Sequence, residues 1–176
     1  MIYLLRYVLY VLVSLLACTK VQALTVDTSF DVTANVVNGC SLGGSGSGGA
    51  NFGTINFGTM PTVLSNIDVA SSSGAGSIIV TCTPGASIML ALDYGLHNGN
   101  NNFRYLSNGT TSLAYQLYRD SSYSQVWGTM ADSLAYTISS FPEMTQTYTV
   151  YARLFSTPTM PAVGTYTDTI TVTLTY

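Results

Sequence analysis

The chain has 176 residues with a formal net charge of −3, and 7% of its residues are charged against 47% hydrophobic. That length supplies one ordinary domain with a core of its own and too little for two, and a surface so poor in cations cannot hold polyphosphates, which excludes nucleic acid as a partner. Thr, Ser, Val, Tyr and Gly dominate, a composition of strands and turns that reads as all-β.

The opening residues 1–23, MIYLLRYVLYVLVSLLACTKVQA, combine one early basic residue, Arg6, with an apolar stretch from Tyr7 to Ala17 and small residues at Val21 and Ala23. This is the pattern of a bacterial secretory signal peptide, and the apolar stretch is short for a bilayer span. Leu15-Leu16-Ala17-Cys18 has the order of a lipoprotein cleavage box and would place a lipid on Cys18, whereas Val21-Gln22-Ala23 is an ordinary cleavage site that leaves Leu24 first. Ordinary cleavage also removes Cys18, Arg6 and Lys20. Arg104, Arg119 and Arg153 then face eight acids, and the cysteines that remain are Cys40 and Cys82. An even count in an exported protein implies a disulfide. Closing a loop of about 42 residues stabilises the fold by roughly 4 kcal/mol on the chain-entropy model. A metal pair is the poorer reading, because His97 is the one histidine and no further soft ligands stand at metal spacing.

Beyond the leader, Val26, Thr28, Phe30, Val32, Ala34 and Val36 alternate with Asp27, Ser29, Asp31, Thr33 and Asn35. This predicts a long strand with one buried face. Residues 41–50 then hold five glycines, Gly43, Gly44, Gly46, Gly48 and Gly49, in a flexible loop with neither the lysine nor the helix start of a phosphate cradle. Phe52-Gly53 and Phe57-Gly58 repeat five residues apart, consistent with a short strand bearing aromatic anchors and bends. Further strands are predicted over 77–83, 87–93, 113–118, 124–127, 133–139 and 146–155. Turn signals at Thr83-Pro84-Gly85, His97-Asn98-Gly99-Asn100, Asn108-Gly109 and Arg119-Asp120-Ser121 separate them. Over 164–176 the alternation is again strict, with Ile170, Val172, Leu174 and Tyr176 on one side and Thr169, Thr171, Thr173 and Thr175 on the other. Helical periodicity is absent throughout, and many short strands divided by turns fit a sandwich.

The two alternating ends carry the most information. A regular apolar edge invites association, and natural proteins blunt such edges with charge, proline or a bulge. Neither end is blunted here. Both can pair inside one molecule. Alternatively, the N-terminal strand leaves its own domain and completes the sheet of the next subunit, a form of β-augmentation. Five or so apolar side chains buried this way contribute on the order of 10 kcal/mol before ordering costs.

Asn38-Gly39-Cys40-Ser41-Leu42-Gly43-Gly44, the stretch Asn51-Phe52-Gly53-Thr54-Ile55-Asn56-Phe57-Gly58, Cys82 in Ile79-Val80-Thr81-Cys82, the segment Tyr115-Gln116-Leu117-Tyr118-Arg119-Asp120 and the ending from Gly164 to Leu174 resemble the spore coat protein U domain. That family includes subunits of archaic, Csu-type chaperone-usher pili. The resemblance implies an incomplete immunoglobulin-like β-sandwich lacking its last strand, completed by donor-strand complementation. It also implies three kinds of partner, namely a periplasmic pilus chaperone, an outer-membrane usher and neighbouring pilin subunits, and display at the cell surface. Carried onto this chain, residues 1–23 are the signal, 24–37 the donor strand and 38–176 a single pilin domain. The donor side chains are Val26, Thr28, Phe30, Val32, Ala34 and Val36, and the acceptor groove is edged by Ile170, Val172, Leu174 and Tyr176. The length leaves no room for the separate binding domain of a two-domain tip adhesin.

Catalysis requires positioned acids, bases or nucleophiles. His97 lies in an Asn-rich turn, and Asp27, Asp31, Asp68, Asp93, Asp120, Asp132, Glu143 and Asp168 are scattered, with no close pair of the glycosidase kind. No enzyme activity, cofactor or metal is expected. Asn108-Gly109-Thr110 reads as a turn before a glycosylation acceptor, and the tyrosines as core and joint fillers before a sugar-binding patch. The alternative from another class is a small outer-membrane β-barrel, suggested by export, alternating strands and the terminal Tyr176. The cysteine pair, the early glycine loop and strands short for a bilayer crossing argue against it.

Overall fold

A computed structural model describes Tyr3 and residues 23–43, 50–98 and 102–176. Most of the predicted export signal, including Cys18, and most of the glycine-rich loop lie outside the described residues. The chain divides into two units, Met1–Val36 and Val37–Tyr176. In the first, the described residues 23–36 form no helix or strand and all are exposed. The alternation seen there has no sheet partner among the described residues.

The second unit is all-β. Its strands are β1 (Cys40–Leu42), β2 (Ile67–Ala70), β3 (Ile78–Cys82), β4 (Ile88–Leu92), β5 (Arg104–Ser107), β6 (Ser112–Tyr118), β7 (Tyr136–Ile138), β8 (Thr145–Tyr148), β9 (Tyr151–Leu154) and β10 (Val172–Thr175). They form three antiparallel sheets, ordered β1-β3-β8, β10-β4-β7 and β2-β9-β6-β5. Inward residues of all three meet in one core, with Val80, Leu90, Leu92, Leu117, Ala152, Trp127 and Phe141 among its members. This is sandwich packing, with alternate residues of each strand turned inward. Strands of three to seven residues in three open sheets fall short of the roughly 9–11 residues that a bilayer-crossing barrel strand needs, so the barrel reading loses its support.

The sheets are joined where the chain passes from one to another. The single strand predicted over 146–155 is two: β8 pairs with β3, while β9 lies between β2 and β6. At the break, Ser71 Oγ accepts the Val150 N–H at 2.7 Å and the Val150 carbonyl accepts the Ser71 N–H at 2.9 Å, so both backbone groups of Val150 are paired at the crossing. The strand predicted over 124–127 does not form; Val126 makes only an isolated bridge to Tyr118, and the chain then passes between sheets. Trp127 N–H donates to the Leu117 carbonyl of β6 at 2.9 Å, and the next carbonyl, Gly128, accepts from Leu92 of β4 at 3.1 Å.

The final segment crosses too. Ser107 and Thr167 exchange backbone hydrogen bonds of 2.9 and 3.0 Å beside β5, and Val172 then enters the ladder of β4 opposite Leu92. Between these points Asp93 holds Thr171 by its side chain at 2.9 Å and by its own N–H at 3.1 Å.

Cys40 and Cys82 face each other in the β1–β3 register with Cα atoms 4.1 Å apart, and they are joined by a disulfide.

Candidate functional site

The Asn-Phe-Gly repeat builds one side of the site. Asn51 Oδ1 accepts the Gly53 N–H at 2.9 Å, and Asn56 Oδ1 accepts the Gly58 N–H at 2.8 Å. Each asparagine thus closes a local turn on its own backbone. The repeating unit is therefore the tripeptide rather than Phe-Gly. Gly53, at φ +85°, bridges to Ala75 so closely that a Cβ on it would lie 1.9 Å from the Gly74 carbonyl oxygen. Glycine is required there. The expected short strand is replaced by these turns, which set Phe52, Ile55 and Phe57 half-buried against the core.

Across from them runs the lead-in to β10. Ile170, Val172 and Leu174 are half-buried on the core, while Thr169, Thr171, Thr173 and Thr175 are exposed, as the alternation requires. Tyr176 belongs to the predicted groove edge but is 64% exposed. Between the two sides lies a cavity of about 640 Å³. Leu42 and the Phe52–Phe57 stretch line one flank, Asp168 to Val172 the other, and Ile78, Leu92, Leu117, Val150 and Ala152 lie beneath. β1 and β10 each end a sheet, so each has one edge with no strand partner among the described residues.

A polar cluster pins the far end of this flank. Asp168, whose side chain is 1% exposed, accepts from Tyr115 Oη at 2.7 Å, from the backbone of Leu96 at 2.8 Å and of Thr169 at 2.9 Å, and meets His97 Nδ1 at 3.2 Å. A Cβ on Gly95 would lie 2.0 Å from an Asp168 carboxylate oxygen, so glycine lets the loop close on this side chain. Burial, and then the hydrogen bond to Asp168, push the Tyr115 phenol well above its usual range. Tyr94 is pushed up to about 12, first by burial and then by its bond to Asp132.

Arg104 stands behind them, fully buried. Its guanidinium donates to the carbonyls of Asp93 at 2.6 and 2.9 Å, Trp127 at 2.8 Å and Leu92 at 3.3 Å, and also to Gln116 Oε1. It lies 5.0 Å from the centre of the Tyr94 ring. Burial lowers its pKa, but it spends its donors on carbonyls freed where β4 ends and the chain changes sheets. Sequence reasoning assigned Arg104 no role. The signal was slight: a cation opening a strand within a chain that has few.

Of the other sequence candidates, His97 is drawn into the Asp168 cluster. Asp68 pairs with Arg153 at 2.6 and 2.7 Å on the outer face of the four-stranded sheet, where that hydrogen bond lowers the carboxyl's pKa. Asp120 accepts from Ser122, Ser124 and Gln125 to fold its own turn. Asn108 Oδ1 closes the β5–β6 turn by accepting from Thr110 and Thr111. The Tyr123 ring meets those of Tyr118 and Tyr151 edge to face, with Arg153 over it at 4.2 Å.

Comparison with protein families places the Spore Coat Protein U domain on residues 26–173. The chain belongs to this family. Among solved structures, a chain of the CsuC–CsuE chaperone and tip adhesion subunit pre-assembly complex, from the archaic chaperone-usher Csu pili of Acinetobacter baumannii, is 22% identical with a TM-score of 0.49. The match covers 80% of this spore coat U chain and 40% of that one. A chain of a chaperone–tip adhesin complex of CFA/I fimbriae is 12% identical with a TM-score of 0.38, covering 77% of this chain and 42% of the other. The spore coat U chain thus spans less than half the length of either solved chain. Comparison with curated protein sequences finds no match.

Proposed function

We propose that this protein is a structural subunit of a chaperone-usher pilus, polymerising by donor-strand exchange and supporting surface attachment and biofilm formation. The observation that carries the reading is a pair of complementary features in one chain. One is the cavity bounded by the lead-in to β10 and the Asn-Phe-Gly turns, lined by apolar and polar side chains together, beside two sheet-edge strands. The other is an exposed segment, outside any helix or strand, whose apolar side chains lie open, among them Val26, Phe30, Val32 and Val36.

A strand laid along β10 pairs with its free edge and turns alternate side chains into the cavity, which is how β-augmentation divides affinity and specificity. Val26, Thr28, Phe30, Val32, Ala34 and Val36 are the donor side chains in this reading. Ile170, Val172, Leu174 and Tyr176 edge the groove that receives them. An eleven-residue strand covered on one face and both edges buries on the order of 800 Å², a standard share for one partner of a stable interface. Before subunits meet, a periplasmic chaperone covers the same groove. An outer-membrane usher then exchanges it for the next subunit, and the filament is displayed on the cell surface. The single-domain boundaries, 24–37 for the donor and 38–176 for the acceptor, follow from this assignment.

Deleting Leu24 to Val36 from the mature chain tests it. The truncated subunit is expected to fold and to co-purify with the chaperone of its operon, yet to give no ladder of subunit multimers on gels. Normal filaments from the truncated chain would overturn the donor assignment.

A further inference from the structure

The cavity beside β10 has an aromatic lining on one side. Phe52, Phe57 and Tyr115 border it, and the Phe57 and Tyr115 rings meet edge to face with centroids 6.3 Å apart. Ala152, which carries only a methyl, also lines it, whereas Gly76 lies against the Ile55 side chain, where a Cβ would come within 2.2 Å. The flank from Asp168 to Val172 is five residues long, roughly 13 Å of extended chain, whereas inward side chains of a strand recur at about 6.6 Å. The cavity therefore accepts one large side chain near its middle and a neighbour two residues away on either side.

Among the six alternating side chains of residues 26–36, one is aromatic. Phe30 is 86% exposed, and its neighbours at two-residue spacing, Thr28 and Val32, are both small and β-branched. A valine or alanine in the centre of the cavity would leave a void, which costs stability in proportion to its volume. A phenylalanine there fills it and presents its ring to three others, an arrangement that adds to area burial when the rings meet edge to face.

We propose that Phe30 of a second copy of this chain is the anchoring side chain of the joint, seated in the cavity among Phe52, Phe57, Tyr115 and Ile170. This inference rests on the donor-strand reading and adds to it the residue that sets the register. The other donor positions then act as spacers that exclude water, in the way a few central side chains dominate other interfaces.

The test uses full mature chains assembled in the periplasm, one variant carrying Ile170→Cys and its partner carrying Val26→Cys, Phe30→Cys or Val36→Cys. The expected result is that Phe30→Cys gives the dominant intermolecular disulfide. In a parallel set without added cysteines, Phe30→Ala is expected to speed dissociation of multimers by at least about tenfold, and Val36→Ala by less than about threefold. Dominant cross-linking through Val26→Cys or Val36→Cys, or equal dissociation of the two alanine variants, would overturn the placement of Phe30 while leaving the donor reading intact. If none of the three positions cross-links, the donor reading itself fails and the anchor fails with it.

Discussion

The chain carries two stretches with the same written pattern and different fates. Residues 26–36 and 164–176 both alternate apolar and polar almost without fault. The first is exposed along its whole length and pairs with nothing among the described residues. The second lays Ile170, Val172 and Leu174 on the core, is bonded to β5 at Thr167 and enters β4 at Val172. Alternation therefore specifies that a strand has a face, but not which sheet receives it. What distinguishes the second stretch is a set of polar anchors: Asp93, Asp168 and, behind them, Arg104.

The contrast can be broken most strongly at Arg104. Arg104→Met should remove about 3–5 kcal/mol of folding stability, because buried carbonyls at the sheet crossings lose their donors. Urea unfolding of the mature chain measures it, and a loss below about 1 kcal/mol would show the crossings to be held by packing alone. Replacing Cys40 and Cys82 together by Ser should cost roughly 4 kcal/mol, seen as a lower denaturation midpoint and a lower periplasmic yield.

The sharpest comparison sets one charge in each stretch. Val172→Asp should destabilise the isolated subunit by about 1–3 kcal/mol, since its half-buried face would hold an unpaired carboxylate, whereas Phe30→Asp should leave its melting temperature unchanged. Equal effects would mean that the first stretch is also part of the subunit's own fold.

The smallest effect is on the alkaline side. The Tyr115 phenol is raised in the folded protein, so its neutral form is preferred there. The stability this provides is complete below the ordinary tyrosine value of about 10 and is lost as pH rises beyond it. Melting temperature should fall between pH 9 and 11, and less steeply in Tyr115→Phe. An unchanged slope would remove Tyr115 from the titrating groups that matter.

Sequence patterning reached the strands whose partners lie close to regular. The segments expected at 77–83, 87–93 and 113–118 correspond to β3, β4 and β6, because alternation or a continuous apolar run is visible in each. It placed β7 within 133–139 but did not reach β1, β2 or β5, whose three or four residues show no alternation extending beyond them. It joined β8 to β9 because the change of sheet is made by a hydroxyl, Ser71, more than seventy residues away in the chain. In the candidate groove, the half-buried side of the last segment was legible from its own pattern. The opposite flank was not, since Phe52, Ile55 and Phe57 are aimed by asparagine turns rather than by a strand. The Arg104 hub was barely legible for a related reason: most of its hydrogen bonds go to backbone carbonyls, which every sequence contains and none announces.

The disulfide has a mechanical consequence. Tension applied through the N-terminal segment enters the folded unit at Cys40, the first residue of β1, which is three residues long and would peel from its neighbour under modest force. The covalent bond to Cys82 carries that load to β3, the middle strand of its sheet, so β1 cannot be peeled away without drawing on a five-residue strand paired on both sides.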